Sequence, residues 1–186
     1  MASSVVEICN NALGLLGDYI IDNFNDNTMT PARLCNTFYR GARDAVLRLH
    51  PWNFAVRRVR LAPRSESPVY GYSNAFTKPP ELLRLLEVCG ITDYKTEGRD
   101  ILCDATGISI RYIYKNESVV EYDSLFVEAL TAYMAWKLAY PITKSSTVRK
   151  EMWDMFTQIL QVAKSVDAME EPQDTIGDFP LINVRG

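Results

Sequence analysis

Residue patterns typical of catalytic or metal-binding sites are mostly absent from this sequence. His50 is the only histidine, and its place at the end of a predicted helix favours capping of carbonyls and pairing with the helix dipole. The four cysteines never occur as Cys-x-x-Cys, so we expect four buried thiols rather than disulfides or a zinc site. No glycine-rich phosphate loop and no Gly-x-Ser-x-Gly is present. The sequence therefore predicts neither a cofactor nor a metal site.

Carboxylates are the remaining candidates for catalysis, because a pair of them can hydrolyse a glycosidic bond. None of the glutamates stands out as embedded in an apolar face, where burial would raise its pKa, and Glu128 lies off the apolar stripe of its predicted helix. The acidic stretch 22–28 does not fit a calcium loop, because Phe24 and Arg33 occupy ligand positions of the EF-hand spacing. We therefore expect a protein that is not an enzyme, with a peptidoglycan hydrolase as an alternative.

Charge is strongly segregated along the chain. Residues 1–32 carry four acids and no base, whereas residues 33–64 carry eight arginines and one acid. These arginines have three interpretations: a solvated face with salt bridges, a charge match between subunits, or contact with DNA phosphates. A basic DNA-binding module is accordingly a second alternative function, although no recognition motif accompanies the charge. The candidate inter-subunit or DNA-facing residues are Arg33, Arg40, Arg43, Arg57, Arg58 and Arg60.

Two helices are predicted in the first 50 residues, and the second of them continues into the basic segment. Ser4 and Glu7 form a capping box at the start of the first helix, and Gly17 is placed to end it in a left-handed conformation. Pro31 occupies the first position of the second helix, where its missing N–H costs nothing. Pro51 predicts that this helix ends by residue 50.

Two more helices are predicted in the last third of the chain. Asp123 can cap the first of them, and Pro141 is expected to break or kink it. Residues 145–147 can cap the second, whose apolar stripe runs from Val148 to Val166. Beyond Pro172 the chain is acidic and lacks a helical period.

Between residues 51 and 117 the periodicity becomes that of strands, with Gly98 and Gly107 at turns. The strand candidates are Val56 to Leu61, Leu82 to Val88, Asp100 to Cys103 and Ile108 to Tyr114. The predicted class is α+β: a four-helix bundle with an inserted small antiparallel β-sheet and an extended C-terminal tail. The bundle comprises residues 1–50 and 118–172, the inserted sheet 51–117, and the tail 173–186.

The location of the protein can also be predicted from the sequence. No run approaches the roughly 18 apolar residues needed to span a bilayer. The first residues lack the features of an export signal. We therefore expect a soluble protein made in the cytoplasm, with no membrane partner.

The most distinctive segment is His50-Pro51-Trp52-Asn53-Phe54-Ala55, within residues 42–55. Together with Asn-Ala-Leu-Gly-Leu-Leu-Gly at 11–17, it resembles the tail tubular protein A family, the head-to-tail adaptors or gatekeepers of short-tailed phages. The segments 79–84, 110–114 and 126–139 agree with this family. The resemblance extends from Val5 to about Ala168.

The resemblance implies a dodecameric ring docked beneath the portal protein and above the tail nozzle protein, with double-stranded DNA passing through it. It places the protein in the virion, at the head–tail interface, after assembly in the host cytoplasm. Some relatives are credited with cell-wall hydrolysis, but no residue here matches a catalytic site.

The resemblance also indicates which residues would serve the adaptor. On physical grounds we expect Pro51 and Trp52 to form the hinge between bundle and sheet, with Trp52 and Phe54 as wedges that fix the angle at which each subunit meets its neighbour. Plain core packing of Trp52 is the alternative. The junction residues are His50, Pro51, Trp52 and Phe54. Portal contact in such adaptors commonly involves a C-terminal extension, for which residues 173–186 are the counterpart. The apolar residues that would dock it are Ile176, Phe179, Leu181 and Ile182.

Overall fold

The computed structural model describes residues 4–26 and 28–170, and within them the chain forms four α-helices and six β-strands. The helices are α1 (Val5–Leu15), α2 (Thr30–Leu49), α3 (Ser124–Thr143) and α4 (Ser146–Glu170). The strands are β1 (Val56–Leu61), β2 (Asn74–Thr77), β3 (Leu82–Val88), β4 (Lys95–Glu97), β5 (Asp100–Cys103) and β6 (Ile108–Tyr114). The class is α+β, as predicted, and every strand lies between α2 and α3.

The ends of α1 and α2 follow the predicted signals. The Ser4 hydroxyl accepts a hydrogen bond from the Glu7 amide at 3.2 Å, and Gly17 adopts a left-handed φ of +70° after the end of α1. Pro31 lies in the first turn of α2. That helix ends at Leu49, and His50 is extended, as the following proline requires. Local sequence therefore determines where both helices start and stop.

The caps of α3 and α4 also agree with prediction. The Asp123 carboxylate accepts from the Leu125 amide at 2.8 Å, and the Ser145 hydroxyl from the Val148 amide at 3.3 Å. Pro141 was predicted to break or kink α3, and the break is wrong, because α3 continues to Thr143. The kink stays a prediction. Pro141 lies in the last turn, where its missing N–H removes only one terminal hydrogen bond. Lys144 then ends the helix in the left-handed region, with φ 56°.

Helix α3 is the centre of the helical region. It packs against α1, α2 and α4, and α4 packs mainly against α3. Because neighbours surround it, α3 buries side chains on several faces rather than along one stripe. The buried surface of α3 is therefore wider than the single apolar stripe of an amphipathic surface helix.

The strands form two sheets, not the single small sheet that was predicted. One sheet has the order β1-β6-β3 and the other β2-β5-β4, and all pairs are antiparallel. Strands β2 and β4 were not predicted from the sequence. They have four and three residues, and β4 is exposed throughout, so neither shows the alternation that identifies a strand.

Strand β6 contributes to two hydrophobic cores. Ile113 belongs to the core of the helical region, whereas Ile110 and Tyr112 belong to a second core that also contains Phe76 and Ile101 of the other sheet. Successive residues of a strand point to opposite faces, so one strand can face the helices and the second sheet together. The sheet region is therefore fixed to the helices through β6.

Candidate functional site

The segment from His50 to Ala55 turns the chain from α2 into β1. The Trp52 amide donates to the His50 carbonyl at 2.9 Å, and the Ala55 amide donates to the Trp52 carbonyl at 2.8 Å. Asn53–Ala55 form a 3₁₀ turn that leads directly into β1. The predicted junction residues thus occupy the connection between helices and sheet, with no intervening loop.

Trp52 and Phe54 form an aromatic cluster beneath this connection. Trp52 is fully buried, and its indole N–H donates to the Val46 carbonyl at 3.2 Å. Phe126 of α3 meets the Trp52 ring edge to face at 5.1 Å and the Phe54 ring at 4.9 Å. Such pairs contribute about 0.5–1.5 kcal/mol each beyond area burial. The two aromatic residues therefore fix the start of the sheet region against the central helix.

Asp167 of α4 holds the same connection from the other side. Its carboxylate is bonded to His50 Nε2 at 2.9 Å and accepts from the Asn53 amide at 3.1 Å. The Asn53 side chain donates to the Asp167 carbonyl at 3.0 Å. The predicted capping of helix carbonyls by His50 is therefore replaced by a bond to another helix. Because Asp167 is buried, removing it would leave two polar groups without a partner.

Asn116 joins the second connection, from β6 to α3, to the first. Its side-chain amide donates to the Glu121 carboxylate at 2.8 Å and to the Phe54 carbonyl at 3.3 Å. The Tyr122 hydroxyl donates to the Asn116 carbonyl at 2.7 Å, and burial raises the pKa of the Tyr122 phenol. The connection from α2 to β1 and the connection from β6 to α3 are thus bonded to each other at the Phe54 carbonyl.

Five of the six candidate arginines are exposed. Arg33 and Arg40 lie on α2, whereas Arg57, Arg58 and Arg60 lie on β1. The Arg57 guanidinium is 3.5 Å from the centre of the Tyr114 ring, which orients it. In the part of the chain that the structure describes, neither Arg58 nor Arg60 forms an ion pair.

Arg58 and Arg60 share a face of the β1-β6-β3 sheet. They pair in register with Arg111 and Ser109, on the face opposite Ile110. Glu87 forms an ion pair with Arg111 at 3.4 Å, so this face carries more positive than negative charge.

The prediction that Arg43 faces a neighbouring subunit or DNA is wrong. Arg43 is only 4% exposed, and its guanidinium pairs with Asp44 at 2.8 Å and Glu117 at 3.1 Å. Lys115 and Arg43 lower the pKa of the Glu117 carboxyl. Arg43 therefore joins α2 to the segment after β6, and its charge is already neutralised.

The remaining predictions concern the tail and the cysteines. Cys9, Cys35 and Cys103 are buried as predicted, but Cys89 is exposed because it follows the end of β3 at a turn. The predicted portal-docking residues lie outside the described residues. They are Ile176, Phe179, Leu181 and Ile182.

Sequence reasoning missed three polar residues that hold the junction together. They are Asn53, Asn116 and Asp167. Asp167 offered a signal, because it lies four residues after Ala163 on the buried side of α4. An acid on an apolar helix face indicates a specific partner. Asn53 and Asn116 lie outside the segments with helical or strand periodicity, so the sequence pattern could not indicate their hydrogen bonds.

In residues 4–26 and 28–170, no group of three or more histidines, cysteines or acids could hold a metal ion. None of the helices described here is long and apolar enough to cross a membrane. No protein-family model matches the chain. No curated protein matches it either.

Proposed function

We propose that this protein is a non-enzymatic structural subunit: a head-to-tail adaptor that forms a ring between the portal and tail nozzle of a short-tailed phage. The proposal rests on the contacts made by the most specific sequence motif, His50 to Ala55. Trp52 and Phe54 pack on the central helix, while His50 and Asn53 bond Asp167. The motif therefore fixes the helical region against the sheet region, which supports a structural role.

The proposal includes four helices that act as one bundle within a dodecameric ring. A groove of about 440 Å³ runs between α1, α3 and α4, with Leu15, Met155 and Ile159 among its lining residues. Leu15 is 42% exposed, and Val162 at a neighbouring depression is 56% exposed. We assign this groove to a second copy of the chain, because a ring contact must bury apolar surface and the helical region leaves it open here.

Double-stranded DNA would pass through the ring without sequence-specific contacts. The exposed arginines support this, because Arg58 and Arg60 present guanidinium groups without ion pairs within the described residues. Phosphate contact by such groups is independent of sequence and weakens steeply with salt. The same observation favours a basic DNA-binding module as the second candidate function. A charge match with the acids of residues 1–32 on the next subunit is the other proposed use.

The hydrolase alternative gains no support from Asp26, Asp104 and Glu117. A general acid needs a raised pKa, whereas the pKa values of Asp26, Asp104 and Glu117 are lowered by hydrogen bonds from Thr28, Ser73 and Lys115. These three groups are therefore poor proton donors near neutral pH.

The proposed partners are the portal protein, the tail nozzle protein and passing double-stranded DNA, with the protein in the virion at the head–tail interface. Residues 173–186 would dock on the portal through their apolar side chains. Because a few buried apolar anchors carry most of an interface's energy, losing two should weaken binding at least about tenfold.

The test is sedimentation velocity of the full chain mixed with the cognate portal ring. Phe179→Ser combined with Leu181→Ser should weaken association, whereas Val120→Ser, at an apolar position that is 78% exposed, should not. Wild-type chain that never sediments with the portal would contradict the adaptor function. Equal binding by the tail variant would contradict only the assignment of the tail.

A further inference from the structure

A basic groove lies where the end of α2 meets the two sheets. It has a volume of about 480 Å³, and its cationic lining residues come from α2, from the turns around β2 and β5, and from β3. Those residues are Arg48, Lys78, Arg84 and Arg99. No acid lines the groove, so it concentrates positive potential in a concave surface.

These four cations are available to a ligand. None of them forms an ion pair with any residue in 4–26 or 28–170. The Lys78 ammonium donates to the Gly98 carbonyl at 3.1 Å, and the Arg84 guanidinium donates to the Arg48 carbonyl at 3.4 Å. Lys78 and Arg84 are thus oriented by neutral backbone groups that leave their charges uncompensated.

The groove is also partly apolar. Two prolines and three leucines line it with the cations: Pro79, Pro80, Leu82, Leu83 and Leu85. A ligand that fits must combine negative charges with apolar side chains. An acidic peptide satisfies both requirements, whereas a phosphodiester chain satisfies only the first.

We propose that the groove binds the acidic C-terminal segment of the same chain, residues 171–186. This segment contains Glu171, Asp174 and Asp178, with apolar Ile176 and Phe179 between or beside them. Its single base is near its end, at position 185. The alternation of acids and apolar residues matches the mixed lining of the groove.

The end of α4 starts this segment close to the groove. Asp167 contacts His50 at 2.9 Å, and His50 is two residues from Arg48. The helix ends at Glu170. An extended chain advances about 3.3 Å per residue, so Asp174 can lie about 13 Å from Glu170 and Asp178 about 26 Å from it. Both acids therefore have the reach to meet groove cations within their own subunit.

This inference does not depend on the adaptor function. In an adaptor, however, the tail would occupy the groove until the portal protein displaced it.

The test is zero-length carbodiimide cross-linking of the full chain at low salt, with the linked peptides identified by mass spectrometry. We expect Lys78 to link to Asp174 or Asp178 within single chains, and the exposed Lys144, in the turn between α3 and α4, to serve as the control that does not. Arg84→Glu combined with Arg99→Glu should lower the Lys78 yield about fivefold, the effect of losing about 1 kcal/mol. Arg33→Glu with Arg40→Glu is the matched charge control, and circular dichroism checks that each variant folds.

Three results would overturn the proposal: equal linking of the tail acids to Lys78 and Lys144, links found only between chains, or a yield that the groove variant leaves unchanged. Fluorescence anisotropy with a short DNA duplex distinguishes the rival ligand. Duplex binding that the groove variant abolishes, in a chain whose tail acids do not link to Lys78, would assign the groove to nucleic acid instead.

Discussion

The helical and sheet regions reach stability in different ways. The helical region surrounds one central helix, α3, and its core includes large, fully buried rings such as Trp52 and Phe126. The sheet region has a smaller core between two three-stranded sheets, and ion pairs such as Arg64–Asp100 lie at its surface. Ion pairs at the surface contribute little free energy, and salt weakens them further. The sheet region should therefore depend on the helices, whereas the helices should depend much less on the sheets.

The largest expected effect tests the shared aromatic cluster. Trp52→Ala removes a fully buried indole from the point where both regions meet, and we expect it to lower the free energy of unfolding by about 3–5 kcal/mol. Trp153→Ala is the control, because Trp153 is 40% exposed, and should cost much less. Urea unfolding followed by circular dichroism measures both. Similar losses for the two variants would show that Trp52 is not central to the fold.

A second variant separates the two cores. Phe76→Ala removes a fully buried ring from the sheet core, at an expected cost of about 3 kcal/mol. Hydrogen exchange should increase in β2, β5 and β4 while α3 keeps its protection. If exchange in α3 rose equally, the two regions would unfold as one unit and the proposed asymmetry would be wrong.

The third prediction concerns Asp167, which bonds α4 to the connection between α2 and β1. Asp167→Ala leaves His50 and the Asn53 amide without their acceptor, and we expect a loss of about 2 kcal/mol in the free energy of unfolding. Asp154→Ala, on the exposed side of the same helix, should stay within about 0.5 kcal/mol of wild type. Chemical denaturation of both variants measures their free energies of unfolding. Equal values would show that the bonds of Asp167 do not stabilise the fold.

The smallest effect depends on pH. The pKa of Glu117 is lowered in the folded chain by Lys115 and Arg43. Its contribution is therefore present above its unfolded pKa, near the ordinary 4.5, and is lost as pH falls through the lower folded value.

Because the Glu117 side chain is 64% exposed, solvent screening limits the effect to below about 1 kcal/mol. Urea midpoints of wild type and Glu117→Gln should differ at pH 6 and converge as the pH is lowered past 4. A constant difference over this range would contradict the ion-pair explanation.

The contrast between the regions also explains what the sequence could predict. Helix ends depend on local signals, so Ser4, Pro31 and Asp123 located three of them correctly. Long strands with alternation were likewise identified. Strands β2 and β4 were missed because pairing with β5, rather than their own pattern, makes them strands.

The junction shows the same limit. The motif around Trp52 identified where helices and sheets meet, because its residues are adjacent in sequence. Its partner Asp167 is 114 residues from Asn53, and the partner of Arg43 is 74 residues away at Glu117. Arg43 was consequently assigned to the surface, since a periodic pattern carries no information about a distant ion pair.

The proposed function, a ring-forming adaptor, is tested most directly by native mass spectrometry of the chain with its cognate portal. We expect a complex that contains a dodecamer of this chain on each portal ring. Absence of a complex, or a single copy bound per portal ring, would contradict it.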